Sequence, residues 1–467
     1  MSGLFSSLTT ASTALQVFSQ ALGISQNNVA NVSTAGYAAQ QANILPIDLS
    51  GDGSGTDFIS VTSNASALAD ATVQAASSEA SYSQTSAQQL SPVNQLFDIT
   101  GTSGILAAFQ QFSTAFSSLA VTPNDPTLQA NALSAAGNVA SAFQSVASGL
   151  DTQQNQVDSA IQSTTSQING LAAQIQQLNV QAASQTTPDP GTNASLRSDL
   201  QQLSSLVDIT VNTGANGTVS VLAGGQLPLV LGDQAYTLSA NPSAASGSQI
   251  SSSAGGNSPA TFSGTLGALL ETRNGSIDQL LGSGGNPGTL NTLASGFASR
   301  VNTLLTSGVT STGAAGLPIF SYDTTDPTNA ARTLTLNSTV TGSQLGLAST
   351  GTSAESNGIA NSIAALPSST AAADQIGGLS AEDYFSTIAA SVGQQLSNAQ
   401  TASTADQSSL TAAQNNQQQS IGVSLNQEAA NISTYQRAYQ ANAEVVSVIN
   451  QLTSDTVNLI NTSGSAL

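Results

Sequence analysis

The sequence has 467 residues, a net charge of −20 and only 6% charged residues beside 39% hydrophobic content. Five arginines carry all the basic charge, and lysine, histidine and cysteine are absent; this excludes Ser-His-Asp and Cys-His catalysis, a histidine-built metal site, a lysine phosphate loop and disulfides. So few cations also set aside nucleic acid and anionic membrane as partners, and no run of about 18 apolar residues predicts a membrane span.

In chain order, Leu4, Leu8, Ala11, Leu15, Phe18, Leu22, Ser25 and Val29 alternate steps of four and three. That seam predicts a coiled-coil helix. The stretch "QNNVANVSTAGYAAQ" (26–40) then bends the chain away, with Asn31 and Gly36 suited to left-handed backbone. Residues 65–119 read as helix, interrupted around "LSPVNQL" and "DITGTSG". "VTPNDPT" is a turn in which Pro126 opens the next helix. From Leu128 to Ala183 a stripe through Val139, Phe143, Val146, Leu150, Val157, Ile161 and Ile168 predicts one long helix, and "NASLRSDLQQLSSLV" a short one.

At Asp208 the period switches to two. Val207, Ile209 and Val211, then Val219 and Val221 around Asn-Gly, predict a hairpin with one or two further strands. Residues 241–260 read as a Ser/Ala/Gly loop. Helix returns after it, "ARTLTLNSTV" reads as a strand, 346–380 as loop, and "AEDYFSTIAASVGQQLSNAQ" as helix again. Near the C-terminus Leu425, Ile432, Tyr435, Tyr439, Val446 and Ile449 form a second stripe, which Val457 and Ile460 extend. Pairing the two terminal stripes is the simplest way to bury both.

The expected fold class is mainly α with a small β subdomain: paired terminal coiled-coil helices, a central helical domain and inserted β hairpins. Residues 1–45 and 421–467 are the two halves of the terminal coiled-coil domain. The central helical domain takes 46–207, with return helices in 262–310 and a last helix in 376–420. The β subdomain is 208–261, and 311–375 is a strand and loop-rich region.

Little in the sequence carries chemistry. Glu382 and Asp383 are the only adjacent acidic pair, but neighbours on a helix diverge, and Ser380 before them reads as an N-cap. Asp52 and Asp57 in "GDGSGTD" lack the spacing and closing glutamate of a calcium loop. Tyr435 and Tyr439 lie on the apolar stripe and read as seam residues. No catalytic residue, metal site or cofactor is expected.

"ALGISQNNVANVSTAGYAAQ" resembles the N-terminal motif of the flagellar axial proteins (rod, hook and hook-associated) through Ala21, Leu22, Asn27, Asn28, Ala30, Asn31, Thr34, Gly36 and Tyr37. "NISTYQRAYQANAEVVSVIN" resembles the C-terminal partner motif through Asn431, Tyr435, Gln436, Ala438, Tyr439, Gln440, Ala441 and Ala443. The middle, with "PNDPTLQANALSAAGNVASAF", "QINGLAAQIQQLN" and "GTLGALLETRN", is similar to the hook-associated members at the hook–filament junction. The pattern departs at Ala35, where the family often has Pro, and at Ala38 and Ala39, where Arg is common. Around Arg197 and Asp199 an acidic-basic run is thinned, which puts particular salt bridges in doubt.

The resemblance implies a non-enzymatic structural component of the bacterial flagellum, a ring of copies at the hook tip. Its partners would be hook protein, the third hook-associated protein, and an export chaperone at the C-terminal helix. It would be extracellular, exported by the flagellar type III apparatus without a cleaved signal peptide, in keeping with an N-terminus that shows no such signal. The alternatives are another axial protein such as hook protein, distinguished by a larger central β insertion, or a secreted adhesin.

Overall fold

A single long helix, α1 (Ser2–Ala30), opens the fold, and a two-stranded antiparallel hairpin follows it, β1 (Gln40–Asp48) with β2 (Ser54–Ser63). The computed structural model describes residues 2–48, 54–185, 189–214, 217–242, 247–255, 261–349 and 357–464. The hairpin corrects the sequence reading, which placed a domain boundary at residue 45, inside β1. Pro46 within β1 and the Gly/Asp-containing start of β2, "SGTD", hid it, since both are depleted in strands.

Three helices follow: α2 (Ala67–Gln95), α3 (Gly104–Val121) and α4 (Pro126–Ser184). At 59 residues, α4 is roughly 90 Å long at 1.5 Å per residue. Its start is an Asp-Pro pair: the Asp125 carboxylate accepts from the Thr127 and Leu128 amides, while Pro126 fills the first turn, where no donor is needed. The same device starts α5 (Pro190–Leu206), through Asp189, and the 3-10 turn Pro327–Asn329, through Asp326.

The β subdomain is a four-stranded antiparallel meander, β3 (Ile209–Thr213), β4 (Val219–Ala223), β5 (Leu227–Leu231) and β6 (Gln234–Ala235), in sequence order. A separate hairpin pairs β7 (Leu238–Asn241) with β8 (Gln249–Ser252). Reading 241–260 as loop throughout is therefore wrong. The single apolar side chain of β8, Ile250, is buried, and one such residue gives no periodicity to read.

Then come α6 (Gly264–Glu271), a π turn (Thr272–Ile277) running into α7 (Asp278–Leu281), and α8 (Gly288–Ser307). Short ladders join β9 (Gly308–Val309) to β12 (Ala348–Ser349), and β10 (Phe320–Ser321) to β11 (Thr335–Leu336). The strand expected over 331–340 is only the two residues of β11, because the Asp326-Pro327 start carries the chain into a helical turn, α9 (Ala330–Thr333). Inside the expected loop lies α10 (Gly358–Ala365), held by buried Ala360 and Ile363. Ile319, Phe320, Leu334 and Ile363, all within 311–375, join the central core.

Two long helices close the chain, α11 (Ala381–Ile421) and α12 (Leu425–Gly464). α11 runs antiparallel along α2, with Gln417 bonded to Asp70 and Gly393 beside Asn94. The core itself is built on phenylalanine: Phe297 of α8 meets Phe109 of α3 tilted at 4.7 Å and Phe112 edge-on at 5.4 Å, with Phe143 of α4 edge-on to Phe109 at 5.9 Å.

With so few charges, amides attach the β and loop segments to the helices. On α4, Asn179 accepts from the Val219 N–H at 2.8 Å and donates to the Val219 and Gly232 carbonyls at 2.7 Å. Asn169 grips Leu238 of β7 in the same way, and Asn302 of α8 holds Ile319 and Phe320. Each primary amide here mimics a neighbouring strand. Asn179→Leu should therefore cost about 1–3 kcal/mol for each orphaned backbone group. A lower unfolding midpoint together with faster amide exchange at Val219 checks it.

Candidate assembly interface

The sequence "QNNVANVSTAGYAAQ" forms the junction between α1, the β1–β2 hairpin and α12. α1 ends as Asn31 folds back, its amide donating to the Asn27 carbonyl at 2.9 Å and its oxygen accepting from the Thr34 hydroxyl at 3.1 Å. Among the described residues only glycines have positive φ, so Asn31 is not left-handed, contrary to the sequence expectation. Its side chain does the work that a left-handed backbone would have done. Gly36 does have φ +73°, and an added Cβ there would lie 2.3 Å from the Ala194 carbonyl of α5.

Asn28 is the centre of the junction. It is fully buried, and its whole hydrogen-bonding capacity is used. The side-chain oxygen accepts from the Tyr37 hydroxyl at 2.8 Å and the Gln40 N–H at 2.9 Å. The NH2 group donates to the Gln40 carbonyl at 2.8 Å and to Glu428 Oε1 at 2.9 Å. One amide thus joins the end of α1, the start of β1 and the first turn of α12. Burial, and after it the Glu428 charge, raises the hydroxyl pKa of both Tyr37 and Tyr435 above the ordinary tyrosine value. Glu428 gives no signal in the sequence, because a lone acid between Leu425 and Ile432 is most simply a solvated position on the helix.

A second polar cluster ties this junction to the central body. Arg197 of α5 pairs with Asp70 of α2 at 3.0 Å and also donates to the Gly36 carbonyl. Gln417 of α11 holds the other Asp70 oxygen at 2.6 Å. Thinned as it is, the motif around Arg197 still makes this salt bridge.

α1 and α12 pack antiparallel, Phe18 facing Tyr435 with ring centroids 6.4 Å apart. The buried line on α1 is Ala11, Ala14, Val17, Ala21, Ser25 and Asn28. The expected seam shares Ala11 and Ser25 with it, but Leu15, Phe18, Leu22 and Val29 each lie one residue beyond the buried position. Leu4, Leu8, Leu15, Phe18 and Leu22 are only half-buried, and Val29 is exposed. Small residues let the two backbones approach, so the leucines flank the contact. On α12, Ile449 is buried and Ile432, Tyr435 and Val446 are half-buried. Leu425, Tyr439 and Val457 are exposed, because the contact line there runs through Glu428, Ala438 and Asn442. Val445, Val448, Leu452 and Leu459 are exposed on another side of the helix; Ile460 lies outside the residues whose side chains are described.

Elsewhere, Ser380 caps α11 by accepting from the Asp383 amide at 3.1 Å, which places Glu382 and Asp383 in a first helical turn. Burial, then Asp383, raises the Glu382 pKa. Asp57 pairs opposite Leu45 in the hairpin, and Asp52 lies outside the described residues. Among the described residues no group of three or more acidic side chains converges on a point that could hold a metal ion, and no helix is long and apolar enough to cross a membrane.

Two family models match the chain. The helical domain of flagellar hook-associated protein FlgK covers residues 90–320, and the C-terminal region of flagellar basal body rod FlgEFG proteins covers 417–459. No curated protein matches the sequence. Among solved structures, the flagellar hook junction protein FlgK from Burkholderia pseudomallei is similar with a TM-score of 0.64 and 17% identity, over 74% of this chain and 99% of that one, a likeness of fold. With its helical core matched over residues 90–320 and its last helix over 417–459, this chain is a structural flagellar protein of the hook-associated protein FlgK family.

Proposed function

We propose that the chain assembles as a ring of copies at the hook tip and joins hook to filament. Hook protein would lie on one side and the third hook-associated protein on the other. The observation that carries this reading is the terminal helix pair. It is locked internally at Asn28 and Glu428, yet it leaves leucines half-buried along α1 and Val445, Val448, Leu452 and Leu459 uncovered on α12. Apolar flanks of this kind are covered by neighbours in an assembly. With 6% charged residues, such contacts strip few ions of water. The uncovered face of α12 is also where an export chaperone would hold the chain before type III export, without signal cleavage, to the extracellular flagellum.

Electron microscopy of cells lacking the protein tests the role: hooks without filaments, with flagellin shed to the medium, are expected. Intact filaments would refute it. The interface itself is tested by Leu22→Asp on the α1 flank and Ile449→Asp in the buried line. Each should abolish complementation of the deletion while leaving the central helices folded by circular dichroism. Normal filaments on both variants would show that these helices are not the assembly surface.

A further inference from the structure

Four of the five arginines are paired inside the fold: Arg197 with Asp70, Arg273 with Asp158 and Asp278, Arg300 with Asp374, and Arg332 with Asp151. Arg437 is the exception. It is exposed on α12, and among the described residues its one hydrogen bond is from Nε to the Ser433 carbonyl at 3.2 Å.

An anion without a cation lies on the same helix. Glu428 is 7% exposed, and no basic side chain among the described residues reaches it. Asn28 takes its Oε1, while Oε2 has only the Asn431 amide at 3.5 Å, the outer limit of a hydrogen bond. Beside it a cavity of about 260 Å³ opens between α1, β1 and α12, walled by Ser25, Gln40, Gln427, Asn431, Tyr435 and Glu428 itself. Nine positions of straight helix, roughly 13 Å, separate Glu428 from Arg437, so the two cannot meet within one chain.

We propose that Arg437 of a neighbouring copy enters this cavity and pairs with Glu428 through Oε2. Nine positions are about two and a half turns, so the two halves lie on opposite sides of α12; one neighbour cannot meet both, and the contact is head-to-tail and directional, the type that closes into a ring. In a chain of charge −20 the pair would fix the register between copies that otherwise repel. The proposal rests on the ring reading above.

Cross-linking tests it cleanly because the chain has no cysteine. Gln427 at the cavity wall and Ala441 one turn beyond Arg437 are both exposed. Within one chain they are about 21 Å apart along the helix, beyond a short bis-maleimide. The full-length Gln427→Cys/Ala441→Cys variant, assembled on cells and treated with that reagent, should give multimers linked copy to copy, and either single variant none. Adding Arg437→Gln or Glu428→Gln should lower the linked fraction severalfold, and adding both should lower it no further. Normal junctions that yield only monomers overturn the contact and leave the ring standing. Products linked to a different axial protein overturn the copy-to-copy assignment. Linked multimers from protein that never reaches the hook tip support the contact and overturn the ring.

Discussion

Replacing Asn28 with leucine is expected to open the terminal helix pair while the central body stays folded. The leucine would strand the Gln40 N–H and carbonyl, the Tyr37 hydroxyl and Glu428 Oε1 in a buried site. At about 1–3 kcal/mol for each orphaned group, the sum exceeds what a contact of mostly alanine packing can offset. Among the described residues, none of α1 or α12 belongs to the phenylalanine core, so the loss should appear as local opening. Hydrogen exchange over residues 11–28 and 428–449 should accelerate strongly, with the main thermal transition unmoved; unchanged protection there would sink the idea. Tyr37→Phe removes one of the four bonds and should cost only about 1 kcal/mol. The raised Tyr37 pKa gives the matching pH dependence. A group raised on folding contributes its full stability below the unfolded value near 10, and that contribution fades as pH climbs from there through the folded value.

The parts of this architecture that were legible in the sequence are those governed by period alone. The 59-residue α4 announced itself through Val139 to Ile175, and β3 and β4 through alternating valines. What could not be read was where a helix touches its partner. Counting leucines put the seam of α1 on Leu15 and Leu22, but the contact runs along Ala14 and Ala21, because two helices approach most closely over small side chains. Polar groups were harder still. Asn28 stood out within the motif, yet its meaning depends on Glu428, 400 residues away. Nothing local to either residue signals the other. Arg197 likewise means little until α2 and α11 bring Asp70 and Gln417 to it.

Gly36→Ala should sever the terminal unit from the body through backbone geometry alone. At φ +73° alanine costs about 1–2 kcal/mol in any surroundings. Here its Cβ would also meet the Ala194 carbonyl oxygen at 2.3 Å and the Ser198 nitrogen at 3.3 Å. Those atoms are the backbone of α5 and cannot swing aside as a flexible side chain would. The turn must therefore lift away, and the Arg197 bond to the Gly36 carbonyl goes with it. Limited proteolysis should cut the variant within residues 31–40, where the parent resists, and filaments should be lost from cells that carry it. Gly23→Ala is the opposing control. Gly23 sits inside α1 with nothing within 4 Å of an added Cβ, so alanine there should stabilise the helix by about 1 kcal/mol and leave assembly intact. Opposite signs for one chemical change, thirteen residues apart, would separate the close approach at the turn from any general effect of glycine; equal effects would place the constraint elsewhere.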